Sequence, residues 1–249
     1  MTRAPLLAEA ATARVVHEIK REAHTLVQVW DHAGHRIVTK IYRQPRWLLW
    51  RTFLLRSRAR REFRNLEAAI AAGIRCVRPV AWDEERRGGI VFRSALATEY
   101  EADAPALKQV LATAPGPARR ALAVACGRFV RAMHAQGLLG NRITPRNFLV
   151  VGAPAQAELV LLDLPAMLRY GRSLLGTRTA TLDVYDAAFS PNRRRQWSRP
   201  ERLRLVAAYC GGDRHAARTL WRRLARRPGW WNRLHKALRT CWRGYLLAR

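Results

Sequence analysis

The sequence predicts an α+β protein of two lobes, strand-rich over residues 1–102 and mainly helical over residues 103–249. Three observations carry that expectation. Period-two alternation of apolar and polar residues, the pattern of a half-buried strand, runs through HTLVQVW (24–30) and RIVTKIY (36–42). Helical patterning dominates from Pro105 onward, interrupted by a short apolar pair of runs. At 249 residues, with 49% hydrophobic residues and Gly and Pro at ordinary levels, the chain has the composition of a folded globular protein. A protein of this size buries roughly three quarters of its unfolded surface, and the composition excludes disorder, collagen and solenoid repeats.

The elements follow in order. Residues 14–43 read as strands, the two alternating runs being joined by a turn at Asp31-His32-Ala33-Gly34 into a hairpin. From Pro45 to about Ala72 the pattern is helical, and Ala71-Ala72-Gly73 is a stop signal. VAWD and IVFRSALATEY then read as two strands around Arg87-Gly88-Gly89. Residues 105–136 read as two helices divided at Pro115-Gly116-Pro117. NFLVV (147–151) and ELVLLDL (158–164) flank a Gly-Ala-Pro loop and predict a small hairpin. Beyond Tyr170 the chain is Arg-rich and helical, with Ser198 and Glu201 spaced as a capping box and Pro228-Gly229 setting off a last helix.

Charge is the anomaly. Lys plus Arg number 46 against 18 Asp plus Glu, a formal +28, which implies an anionic partner: nucleic acid, an acidic membrane or a phosphorylated glycolipid. No zinc-finger or RNA-recognition motif is present and the arginines are spread along the chain, so nucleic acid is the disfavoured class. Cys76, Cys126, Cys210 and Cys241 stand at neither metal-ligand nor redox spacing, which predicts inert thiols in a reducing compartment. The N-terminus lacks a long apolar run and the most apolar stretch, residues 47–55, is broken by Arg51 and Thr52. The expectation is a cytoplasmic protein that lies on a membrane rather than crossing it.

Two basic stretches bear on that surface. In RQPRWLLWRTFLLRSRARR (43–61), Trp47, Trp50 and Leu54 fall on one side of a helix, which suits either an anionic leaflet or the protein core. In the last helix, Trp231, Leu234, Leu238, Cys241 and Tyr245 form one stripe, read as core-facing with membrane or protein contact as the alternative. Nothing in the sequence specifies an oligomer.

The order of several motifs resembles the bacterial lipopolysaccharide kinase family, Kdo and heptose kinases of protein-kinase-like fold, over nearly the whole chain. VTKIYR (38–43) is similar to the family's third strand with its nucleotide lysine, and ARREFRNLEAAIAAGI (59–74) to its first long helix. ATEYEAD (97–103) resembles the hinge, MHAQGLLGNRITPRNFLV (133–150) the catalytic loop, and LLDLP (161–165) the metal-binding segment. The resemblance implies ATP and Mg²⁺ as cofactors and transfer of a phosphoryl group to a sugar hydroxyl of the lipid A-core at the inner face of the inner membrane. It places Lys40 on the phosphates, Glu62 (or, second, Glu67) beside Lys40, Glu99 and Tyr100 at the nucleotide hinge, and Asn147 and Asp163 on the metal.

The residues themselves add to this. Lysine occurs four times amid a large excess of arginine, so Lys40 is not compositional drift, and a compact ammonium reaches between phosphates where a planar guanidinium fits less well. Asp163 interrupts the apolar run LVLLDL, where a carboxylate is costly without a cation or hydrogen-bond partners. His134 reads as a structural histidine. The departure is Arg142, five positions before Asn147, where the family carries Asp: a guanidinium does not accept a proton from an acceptor hydroxyl. Transfer is then impaired unless a displaced base such as Asp183 or Asp186 serves, and the alternative is a pseudokinase that binds nucleotide or glycolipid, or acts as a scaffold in envelope biosynthesis. The first hairpin, IKREAHTLVQVW, also lacks the glycines of a phosphate-covering loop.

Overall fold

The computed structural model describes residues 5–10, 12–32, 34–45, 49, 52–53, 55–141, 143–154, 156–189 and 196–226. The chain divides into two compact units, the first formed within residues 1–102 and the second from Asp103 on together with Ala72–Arg75.

The first unit is a five-stranded antiparallel sheet in the order β1-β2-β3-β5-β4, made of β1 (Arg14–Glu22), β2 (Thr25–His32), β3 (His35–Arg43), β4 (Pro79–Arg87) and β5 (Ile90–Glu99). The alternation in β3 sorts its side chains by face. Ile37 and Ile41 join Trp30, Ala81, Ala95 and Ala97 in a core cluster closed by Leu6 of the short helix α1 (Leu6–Glu9). Lys40 and Tyr42 occupy the other face, toward α2 (Arg58–Ala71), which packs on β3, β4 and β5. The β4–β5 turn is Gly88-Gly89 with φ of 54° and 81°, the two positive angles that a two-residue hairpin needs and that glycine supplies without strain. Edge strand β1 is exposed throughout, carries Lys20 and Arg21, and is interrupted by two register shifts, devices that discourage further strand addition.

The helix expected from Pro45 starts at Arg58 instead. Ser57 Oγ accepts the N–H of Arg60 at 3.1 Å and so caps α2. Upstream, Thr52 Oγ1 accepts the N–H of Val91 at 3.0 Å, tying that segment to strand β5. Trp47, Trp50 and Leu54, the residues of the expected membrane-facing stripe, lie outside the described residues, as does everything from Arg227 on, including the last Trp- and Arg-rich helix. Among the described residues no helix is long and apolar enough to cross a membrane.

The second unit is mainly helical: α3 (Leu107–Thr113), α4 (Gly116–Ala135), α5 (Thr181–Ala188), α6 (Arg199–Tyr209) and α7 (Arg214–Ala225), with the hairpin β7 (Phe148–Val151) and β8 (Glu158–Leu161) and a small pair β6 (Leu138–Leu139) and β9 (Leu168–Arg169). Pro115 stands at the N-cap position of α4 without a side-chain cap, and Pro117 sits in its first turn, where a missing N–H costs nothing. Ser198 and Glu201 form the expected reciprocal box at the start of α6, and Glu201 also takes a two-pronged contact from Arg119 of α4, Nε to Oε1 at 2.7 Å and Nη2 to Oε2 at 2.9 Å. All eight residues of α5 are buried, so this helix is the centre of the unit. Burial pushes the Cys126 thiol up to about 12, as it does for Cys76 in the first unit, which makes both unreactive.

Helices α4 and α6 approach closely at Gly127. A Cβ there would stand 2.2 Å from the carbonyl oxygen of Leu205 and 3.0 Å from Cβ of Ala208. Gly127→Ala is therefore expected to destabilise the protein by about 1–3 kcal/mol, read as a fall of several degrees in Tm by circular dichroism. An unchanged Tm would mean the two helices separate at no cost.

Candidate functional site

In the first unit Lys40 Nζ donates to Glu62 Oε1 at 2.7 Å. Glu62 is fully buried on the inward face of α2 beside Phe63 and Leu66, and Lys40 is 12% exposed at its side chain. A buried carboxylate needs partners on both oxygens, and the second, Oε2, accepts from the hydroxyl of Tyr42 at 2.8 Å. Tyr42 is thus a member of the constellation that the sequence reading missed. Its signal was available, since it stands two residues after Lys40 on the same face of one strand. Glu67, the second candidate for the same role, is exposed on α2. At the end of β5, Glu99 is exposed and its N–H bonds the carbonyl of Arg78 at 2.9 Å. The N–H of Tyr100 bonds the carbonyl of Arg36 at 3.2 Å, and its ring meets His17 edge-on at 6.5 Å.

In the second unit the hairpin β7–β8 brings Asn147 and Asp163 to its open end. Phe148 pairs with Leu161 across the hairpin, and one step further out the N–H of Leu162 bonds the carbonyl of Asn147 at 2.8 Å. Asn147 closes a 3-10 turn, Pro145–Asn147, and its N–H bonds the carbonyl of Thr144 at 2.8 Å. Asp163 Oδ1 is buried, and among the described residues nothing hydrogen-bonds it. A carboxylate oxygen shut off from water is costly without a cation or a donor, and Asp163 and Asn147 offer the oxygen donors that a hard ion would take; Asp183 Oδ1, deeper in the unit, is likewise buried without a hydrogen bond among the described residues. The described residues contain no group of three or more His, Cys, Asp or Glu suited to a metal.

The loop leading to Asn147 is fixed from below by α5. Asp183 is fully buried, and its Oδ2 accepts the backbone N–H of Gly140 at 2.7 Å and lies 3.2 Å from Nε2 of His134. The other ring nitrogen of His134, Nδ1, lies 2.9 Å from the hydroxyl of Tyr209. The carboxylate accepts from Nε2–H, which leaves Nδ1 to accept from the phenol. Burial pushes the Tyr209 hydroxyl far above its usual range, with further upward pushes from Cys210 and Asp183, and so keeps its proton in place for this bond. His134 is a buried structural residue, as the sequence suggested. Asp183 is not placed as a displaced base: it is sealed in the unit and its carboxylate holds the loop. Asp186, in the same buried helix, is 7% exposed. Arg142 lies outside the described residues.

A sheet unit with a buried Lys–Glu pair and a helical unit with an Asn/Asp hairpin are the parts of a protein-kinase-like fold. The family model for the lipopolysaccharide kinase (Kdo/WaaP) family matches residues 8–209, and the chain belongs to that family. A solved structure described as WaaP in complex with acyl carrier protein has a TM-score of 0.61 to this chain. That comparison covers 90% of this chain and 92% of the other at 19% identity, a likeness of fold. No curated protein sequence matches the chain.

Proposed function

We propose that the chain is a nucleotide-binding member of its family that holds Mg-ATP and transfers the γ-phosphoryl group to a sugar hydroxyl of the lipid A-core, slowly because Arg142 stands where the family has Asp. The observation that carries this reading is the buried pair of Lys40 and Glu62 at 2.7 Å. An isolated ammonium and carboxylate are not taken out of water for stability alone, since an apolar pair of similar volume does as well. Their use is to present one compact, oriented positive charge to the phosphates.

Asn147 and Asp163 are the residues that would hold Mg²⁺, which when bound draws charge from the phosphate oxygens. Lys40 orients the phosphates and Glu62 fixes Lys40. In the transfer, the acceptor oxygen forms a bond to the γ-phosphorus, the bond to the bridging oxygen breaks, ADP leaves, and the hydroxyl proton passes to solvent for want of an Asp at position 142. Phosphoryl transfer depends mainly on positioning and charge stabilisation, so loss of that base slows the reaction without removing its basis. An anionic glycolipid and an anionic membrane face suit the formal charge of +28. A lipid-related partner is also supported by the solved relative bound to acyl carrier protein. Arg142 itself favours a second reading, a pseudokinase that retains nucleotide without transfer.

Calorimetric titration with Mg-ATP tests the nucleotide site without knowledge of the acceptor. Wild-type protein is expected to bind, and Lys40→Ala and Asp163→Ala each to weaken binding by about tenfold or more, the worth of one charge-assisted contact. Absence of binding to folded wild-type protein would overturn both readings of this site.

A further inference from the structure

We infer that the second unit carries another anion site, remote from Asn147 and Asp163, built for a phosphate-bearing ligand by Arg120 and Arg128 of α4 and Arg204 of α6. These three arginines line a pocket of about 440 Å³ together with Ala121, Val124 and Ala125 of α4 and Gln156 of the β7–β8 loop. Positions 120, 121, 124, 125 and 128 recur on one face of α4, which is why two arginines and an apolar floor share it.

The surplus of arginine in the chain would scatter cations over any surface. Three features set this cluster apart. Its lining contains no carboxylate among the described residues, and none of the three arginines is ion-paired within them. Glu158, next to the pocket in sequence, pairs with Arg75 at 3.3 Å instead. The three arginines also come from two helices in close contact: Gly127 and Leu205, whose backbones nearly touch, are the chain neighbours of Arg128 and Arg204, and Arg204 Nη1 donates to the carbonyl of Pro200 at 3.3 Å. Several like charges lining one pocket favour an anion there, and guanidinium forks match the tetrahedral oxygens of phosphate. Finally, the pocket is concave and of small-ligand size, and its floor of small apolar side chains leaves room for the organic part of a phosphate ester.

The site is separate from the nucleotide reading. None of Lys40, Glu62, Asn147 and Asp163 lines the pocket. Pro154, Gln156 and Ala157 lie toward the turn end of the hairpin, a four-residue strand of about 13 Å away from Asn147. A phospholipid headgroup and a soluble phosphate ester share the chemistry that these side chains recognise.

The test is calorimetric titration with inorganic pyrophosphate, without magnesium and in a Lys40→Ala background, so that the nucleotide site does not report. The triple variant Arg120→Ala, Arg128→Ala, Arg204→Ala is expected to weaken binding at least about tenfold. A control removes the same charge from the exposed face of α7, as Arg214→Ala, Arg218→Ala, Arg222→Ala, and is expected to change binding less than about twofold, the screened share of a distant charge. All six arginines are exposed. Melting curves confirm folding, and Arg128→Ala alone, expected to weaken binding severalfold, stands in if the triple does not fold. Equal weakening by the two triples would reduce the site to a diffuse field, and full binding by the pocket triple would remove it. Flotation with phosphatidylcholine vesicles containing phosphatidic acid separates the sources. Lost flotation in the pocket triple assigns a lipid headgroup, and retained flotation with lost pyrophosphate binding assigns a soluble phosphate.

Discussion

Glu62→Ala is expected to destabilise the protein by about 3 kcal/mol or more, the cost of removing one member of a buried ion pair, and to lower its Tm by roughly 6–12 °C. The carboxylate is fully buried and serves two groups at once, the ammonium of Lys40 at 2.7 Å and the hydroxyl of Tyr42 at 2.8 Å. Alanine removes both contacts, opens a cavity between α2 and the sheet, and leaves the lysine charge without its nearest counter-charge. Neutralising the pair together should cost far less. The double variant Lys40→Met, Glu62→Gln is expected to melt within a few degrees of wild type, because no charge is then held away from water. Thermal and urea unfolding of the two single variants and the double variant form a cycle. A Glu62→Ala protein that melts with wild type would show that the pair is solvated in solution, and the presentation of Lys40 to phosphates would lose its physical basis.

Lys40 is legible in the sequence because its signal is compositional and local, a lysine in an arginine-dominated chain on a strand of clear period two, whereas the choice of Glu62 over Glu67 rests on the family resemblance. The strands around it are legible for the same reason. The start of α2 is not, because the apolar pattern runs on from Pro45 with no break at the cap, which is the hydroxyl of Ser57. The two-residue pairing of β6 with β9 leaves no periodicity to read. The anchor beneath the loop joins His134 to residues 49 and 75 positions away, Asp183 and Tyr209, and no window along the chain contains that relation. Asp183 reads as a possible base in the sequence for this reason: a carboxylate's role depends on what surrounds it, and only packing shows that its oxygen is spent on Gly140 and His134. The arginine pocket is of the same kind, an assembly of two helices about eighty residues apart in a chain where any single arginine is unremarked.

On the proposed function, placing an acid at position 142 should produce a large gain. Arg142→Asp is expected to raise phosphoryl transfer to a lipid A-core acceptor by about 10²–10⁴, the usual worth of a positioned general base, while leaving Mg-ATP affinity within a few-fold. The expectation rests on the proposed site being complete apart from that residue. The Lys40–Glu62 pair is formed, one oxygen of Asp163 is buried without a hydrogen bond among the described residues, and Asp183 Oδ2 accepts the N–H of Gly140. Arginine keeps its proton throughout the working range of pH, so it gives the reaction charge but no base. Arg142→Ala separates the two ways in which the native residue can slow transfer. If arginine acts only by failing to accept the proton, alanine should be as slow as wild type and aspartate fast, with the aspartate variant losing rate as pH falls and its carboxylate protonates. If arginine instead excludes the metal or the acceptor, alanine and aspartate should recover together, and Mg-ATP affinity should rise in both. Neither variant gaining rate, with nucleotide bound and acceptor present, would leave the protein a nucleotide-holding scaffold and retire the slow-kinase reading.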